Sequence, residues 1–208
     1  MKVERFVLGP LGTNCYLIEN EVTKELVIVD PASCPKNLRD HISEIGYTPK
    51  AIILTHGHFD HVMGIDKFVQ EYDVPVYLHE DEVQILSNVE MNLAYHFNLN
   101  YSYEKGIGVK DGETLKLAGI KFQVIHTPGH TAGGCCYYIE GEDVLISGDT
   151  LFEQSVGRTD FPTGSMSVLV RSIREKLFSL PDDTRVYPGH GNETIIGIEK
   201  QQNPFLST

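Results

Sequence analysis

Three histidines and an aspartate, His56, His58, Asp60 and His61, fall within six consecutive positions of a 208-residue chain that holds only nine histidines. Imidazoles and carboxylates are the nitrogen and oxygen donors that bind divalent transition metals. In an extended chain His56, His58 and Asp60 project to one side, because side chains alternate with period two. A turn into a following helix then swings His61 into the same space, and Gly57 keeps the backbone slim between two bulky donors. The spacing predicts a metal site rather than a surface loop that happens to be rich in histidine.

Three more donors stand in matching contexts. Thr127-Pro128-Gly129-His130 and Tyr187-Pro188-Gly189-His190 each place a histidine after a Pro-Gly turn that follows an apolar run. Ser147-Gly148-Asp149 ends another such run in a carboxylate. Taken singly, each could be a capping aspartate or a surface histidine. Four strand ends that all terminate in a metal-type donor are hard to assign to capping. The remaining histidines read as ordinary: His41 and His79 in exposed helix or turn contexts, His96 in an irregular stretch, and His126 at a strand end as a satisfied core histidine, with support of the ligands as its alternative.

The elements that must position these donors are short β-branched runs bounded by Gly, Pro, Asp or Asn. Strands are expected at Val3–Leu8, Cys15–Glu19, Leu26–Asp30, Ala51–Thr55, Val74–Leu78, Ile120–His126, Cys135–Ile139, Val144–Ser147 and Arg185–Tyr187. Helical spacing marks Pro35–Ile45 (with Ser33 as its N-cap), Val62–Tyr72, Ser165–Leu180 and Glu193–Gln201. Residues 87–106 have poor periodicity and suit a long lid or an irregular helix. Two strand-rich halves with helices outside pack as sheet on sheet, covered by helices on both faces. No linker or low-complexity run interrupts the chain, so residues 1–208 are expected to form a single domain.

Composition narrows the partners. The net charge of −12, with no cluster of Lys or Arg, disfavours nucleic acid. The start, MKVERFVLGPLG, has no apolar signal core, and no segment approaches ~20 uninterrupted apolar residues. Residence in the cytoplasm, away from membranes, is expected. Cys15, Cys34, Cys135 and Cys136 show no C-x-x-C spacing and read as buried reduced thiols. Nothing in the sequence indicates an oligomeric state.

His56-x-His58-x-Asp60-His61, followed by His130, Asp149 and His190, resembles the metallo-β-lactamase superfamily, and the likeness spans essentially the whole chain. It implies an α+β fold, the four-layer αββα sandwich. It also implies two divalent metal ions: His56, His58 and His130 on one, Asp60, His61 and His190 on the other, with Asp149 bridging. Zinc is the first expectation, and His and carboxylate donors accept iron or manganese as well. Asp30, in Ile28-Val29-Asp30-Pro31, matches a position that supports the ligands without binding metal. Two such ions hold a bridging hydroxide and polarise a carbonyl together, and Asp60 is expected to be catalytic as well as a ligand.

Within the superfamily, Gly148-Asp149-Thr150-Leu151-Phe152 and Gly157-Arg158-Thr159-Asp160 look most like the glyoxalase II group, which hydrolyses thioesters. True β-lactamases commonly use other first motifs or secretion signals, and the nuclease branches carry an extra domain or a basic surface. The chain runs eighteen residues past His190, which implies a form without that group's C-terminal helical domain. Gly157-Arg158-Thr159-Asp160 stands where glutathione-using members carry a Gly-Lys-x-Tyr segment. Arg158 is the candidate for binding a substrate carboxylate, and pairing with Asp160 is its alternative role. A small-molecule thioester is the expected substrate. The rivals are a persulfide-dioxygenase-like enzyme with a single iron and a non-enzymatic metal-binding module.

Overall fold

Along Glu25–Val29 the side chains divide between two apolar cores: Leu26 and Ile28 enter one, Val27 and Val29 the other. A strand buried on both faces must be covered twice. In the computed structural model, which describes residues 1–206, that requirement produces four layers.

The first sheet is β1 (Lys2–Leu8), β2 (Thr13–Asn20), β3 (Glu25–Val29), β4 (Thr48–Ile53), β5 (Val76–His79) and β6 (Ile107–Val109), lying side by side in that order. Its hairpin half is antiparallel, and β3 to β6 run parallel. The second sheet contains β7 (Thr114–Leu117), β8 (Ile120–His126), β9 (Cys135–Ile139) and β10 (Val144–Gly148). A small hairpin of β11 (Leu151–Phe152) and β12 (Ser155–Val156) follows, and β13 (Arg185–Pro188) and β14 (Thr194–Ile195) complete the sheet, in the order β14-β13-β10-β9-β8-β7.

Val27, Val29 and Ile53 meet Phe122, Val124, Tyr137 and Ile146 between the sheets. Each such side chain stabilises by roughly 1.5–3 kcal/mol when fully buried. Helices α1 (Lys36–Ile45), α2 (Phe59–Val62), α3 (Ile65–Tyr72) and α4 (Val83–Leu86) belong to the first half. Leu38, Ile42 and Phe68 cover the outer face of the first sheet against Leu17, Ile28 and Ile52. Helices α5 (Met166–Lys176) and α6 (Ile196–Gln202) put Leu169, Ile173 and Ile196 on Cys136, Leu145 and Val186 of the second. This is the expected αββα sandwich. Among the described residues no helix is long and apolar enough to cross a membrane.

Several local expectations need correction. Ser33 does not cap α1; Pro35 holds the cap position without a side-chain bond, its fixed φ already suited to a helix start. The helix expected over 62–72 is two, broken where the Gly64 N–H donates to Pro31 O at 2.7 Å. His79 is buried at the end of β5 and stacks on His126, with ring centroids 3.9 Å apart. Residues 87–106 form turns around one 3-10 turn, Ala94–Phe97, with left-handed Leu93 and Asn98 at its ends. All four cysteines are free and buried, and burial pushes the Cys34 and Cys136 thiols up to about 11.

Candidate metal centre

Every donor singled out in the sequence sits just beyond the carboxyl end of a strand, on one edge of the sandwich. The chain leaves β4 after Ile53, and Leu54–His58 is irregular before α2 begins at Phe59. Period-two alternation therefore covers only His56 and His58; Asp60 and His61 lie in the first turn of α2. The three-histidine and Asp-His-His groupings form nonetheless: His56, His58 and His130 converge, as do Asp60, His61 and His190. Asp149, after β10, lies between them, its oxygens 3.5 Å from His61 Nε2 and 3.7 Å from both His130 Nε2 and His190 Nε2.

The donor set fits two cations. His56 Nε2, His61 Nε2 and Asp149 Oδ1 are buried without a hydrogen-bond partner, an arrangement that is costly unless something satisfies it. Burial, then the neighbouring imidazoles, holds His56 and His58 well below the ordinary imidazole range, so their lone pairs are free to bind metal. Burial lowers His61 too, but Asp60, Asp149 and Asp30 raise it to about 10. Burial works against the Asp60 carboxylate, and His61 and His190 outweigh it and hold the group well below the usual range. So many carboxylates around one imidazole call for positive charge, which divalent cations supply.

Supporting groups fix the ring orientations. Asp30 accepts from the Thr55 N–H at 2.8 Å and hydroxyl at 2.6 Å, and from His61 Nδ1 at 3.0 Å, which turns His61 Nε2 into the site. His130 Nδ1 donates to Arg158 O at 2.7 Å. Gly189 has no alternative: a Cβ there would collide with the Asp149 carboxylate and the His61 ring.

Sequence reasoning missed the groups that tie the loops together. The fully buried Glu82, in the 3-10 turn before α4, accepts the Gly57 N–H with Oε1 at 2.8 Å. Its Oε2 accepts the Thr131 hydroxyl and the Gly133 N–H, both at 2.9 Å. One carboxylate thus joins the His56–His58 loop to the His130 loop. Burial pushes it up to about 7 against those three donors. Gly57 suits this place because a Cβ there would press against the Leu86 backbone at 3.0 Å. At the start of β2, Thr13 Oγ1 donates to Asp60 Oδ2 at 3.1 Å, and Asn14 and Tyr16 donate to Pro188 O at 2.9 and 2.7 Å. A polar strand start and the acidic run Glu80-Asp81-Glu82 carried no signal of such roles, since both pass for solvated surface.

The centre opens into a cavity of about 690 Å³. Arg158 lies at its rim, bound at two points to Asp160 (3.0 and 2.8 Å) with its guanidinium 4.4 Å from the Phe161 ring centre. Exposed His96 lines the same cavity.

The sequence matches the metallo-beta-lactamase superfamily over residues 8–190. Hydroxyacylglutathione hydrolase GloC of Haemophilus influenzae is 35% identical over 211 residues, covering 100% of this chain and 99% of that protein. Among solved structures, BLEG-1, a B3 metallo-beta-lactamase, superposes with a TM-score of 0.94 at 38% identity over 100% of both chains. TTHA1623, in a di-iron-bound form, does so with a TM-score of 0.88 at 38% identity, over 98% of this chain and 100% of that one.

Proposed function

Because the chain belongs to the metallo-β-lactamase superfamily, we propose that it is a binuclear metallohydrolase and that its substrate is a thioester. The observation that carries the reading is the convergence of seven donor side chains, with His56, His58, His61 and Asp149 holding unpartnered buried atoms and His58, Asp60, His130, Asp149 and His190 lining one cavity. His56, His58 and His130 would hold one cation and Asp60, His61 and His190 the other, with Asp149 between. Bound there, two divalent cations supply Lewis acidity toward a carbonyl and lower the pKa of water.

The protein's own groups orient the reactants. Asp60, held by the Thr13 hydroxyl, accepts a hydrogen bond from the attacking water and aligns its lone pair with the carbonyl carbon. The C–O bond forms as the water releases a proton to solvent, the C–S bond breaks, and the sulfur leaves with its electron pair. A thiolate needs no proton to depart, so no strong general acid is required. The likeness to a hydroxyacylglutathione hydrolase supports this chemistry.

The likeness to a B3 metallo-beta-lactamase favours a second reading, opening of a β-lactam. An amine leaving group must be protonated as it departs, which makes that the harder reaction here. Protein loaded with zinc, iron or manganese is expected to hydrolyse S-acyl thioesters, to stop on chelation and to recover on reloading. Loaded protein that opens a β-lactam and cleaves no thioester would establish the second reading instead. Oxygen uptake with glutathione persulfide by a one-iron form would point to an oxidoreductase.

A further inference from the structure

The walls of the cavity are largely apolar, and among the described residues its one Lys or Arg is already paired. Leu11, Leu93, Phe97, Phe152, Phe161 and Pro162 line it above the donors. Phe97 is 50% and Leu11 46% exposed. Single exposed apolar side chains are ordinary, but these converge on one concave surface with a polar floor, the usual form of a ligand pocket. Phe97 is also set in place, its ring centre 4.5 Å from that of buried Phe59.

Among the described residues, Arg158 is the cavity's only Lys or Arg. Asp160 occupies its guanidinium at two points and Phe161 covers one of its faces. Asp160 takes the Nε and Nη2 side of the guanidinium, so a substrate carboxylate reaching the remaining N–H groups would lie beside the Asp160 carboxylate. Arg158 thus serves as part of the wall, and its charge is cancelled at the mouth.

Resting on the thioester reading above, we infer that the cavity selects uncharged thioesters carrying an apolar chain over carboxylate-bearing ones such as glutathione's. The apolar chain could stand on either side of the sulfur. Two series distinguish the sides: acetyl to hexanoyl on N-acetylcysteamine, and acetyl on alkyl thiols of increasing length.

One series is expected to gain about tenfold or more in kcat/KM from its shortest to its longest member, since each added methylene transfers from water to an apolar wall. Succinyl-N-acetylcysteamine should fall below its butyryl counterpart. Phe97→Ala, at a half-exposed position, should cut the chain-length gain to about threefold. Asp160→Asn should free Arg158 and raise the succinyl rate, whereas Arg158→Ala should change butyryl and succinyl rates equally. Flat series, or a preference for succinyl or glutathione thioesters in the wild-type protein, would overturn the inference. Calorimetric binding of hexanoate, acetate and succinate to the metal-loaded protein separates the two readings. Hexanoate bound about tenfold more tightly than acetate, with no thioester cleaved, would uphold the apolar cavity and overturn thioester hydrolysis alone. Equal binding of all three would count against the cavity as a selector.

Discussion

Asp60→Asn is expected to lower kcat by on the order of 10²–10⁴-fold, even with metal in excess. The substitution keeps the volume but removes the charge at a carboxylate that lies 3.3 Å from His190 and 3.6 Å from His61 and takes a hydrogen bond from Thr13. The amide is a weaker metal donor and a weaker acceptor for the attacking water, so binding and alignment suffer together. Asp30→Asn is the control for a purely supporting role. It disturbs the bonds to Thr55 and His61 Nδ1, and should cost roughly 10–100-fold in metal affinity while excess metal restores most of the rate. Steady-state kinetics beside metal analysis separates the two. A near-normal kcat for Asp60→Asn with two metals bound would remove Asp60 from the catalytic step.

Glu82→Gln is expected to weaken one half of the centre. Its carboxylate satisfies two backbone N–H groups and a hydroxyl in a fully buried place. An amide nitrogen there cannot accept, and leaving one buried donor unmet costs about 1–3 kcal/mol. For a domain of this size that lowers Tm by roughly 2–4 °C per kcal/mol. Because Glu82 joins the loops of His56, His58 and His130, affinity at that group should fall about tenfold or more, with the Asp60-His61-His190 group little changed. Competition titrations with a chelating dye resolve the two affinities. An equal fall at both groups would reduce Glu82 to a general stabiliser, and no change in Tm or affinity would remove the role altogether.

The sequence made the donors legible because imidazoles and carboxylates at strand ends are rare types in a local pattern. The strands Ile120–His126 and Cys135–Ile139 were readable to the residue, being long β-branched or aromatic runs between turn residues. Short β11, β12 and β14 were not, since two residues hold no periodicity. Nor could Glu82 or Thr13 be read, because their partners lie 25 to 51 and 47 positions away in the chain. Residues 87–106 hid for a different reason. Left-handed turns at Leu93 and Asn98 interrupt any helical period, and the order of the segment comes from packing Leu93 and Ala94 on Phe59.

Metal content is the most direct test of the binuclear reading. Protein purified without chelators and loaded with excess zinc, iron or manganese should hold two equivalents per chain by elemental analysis, and His190→Ala should hold about one. One equivalent in the wild-type protein, unchanged by His190→Ala, would contradict it.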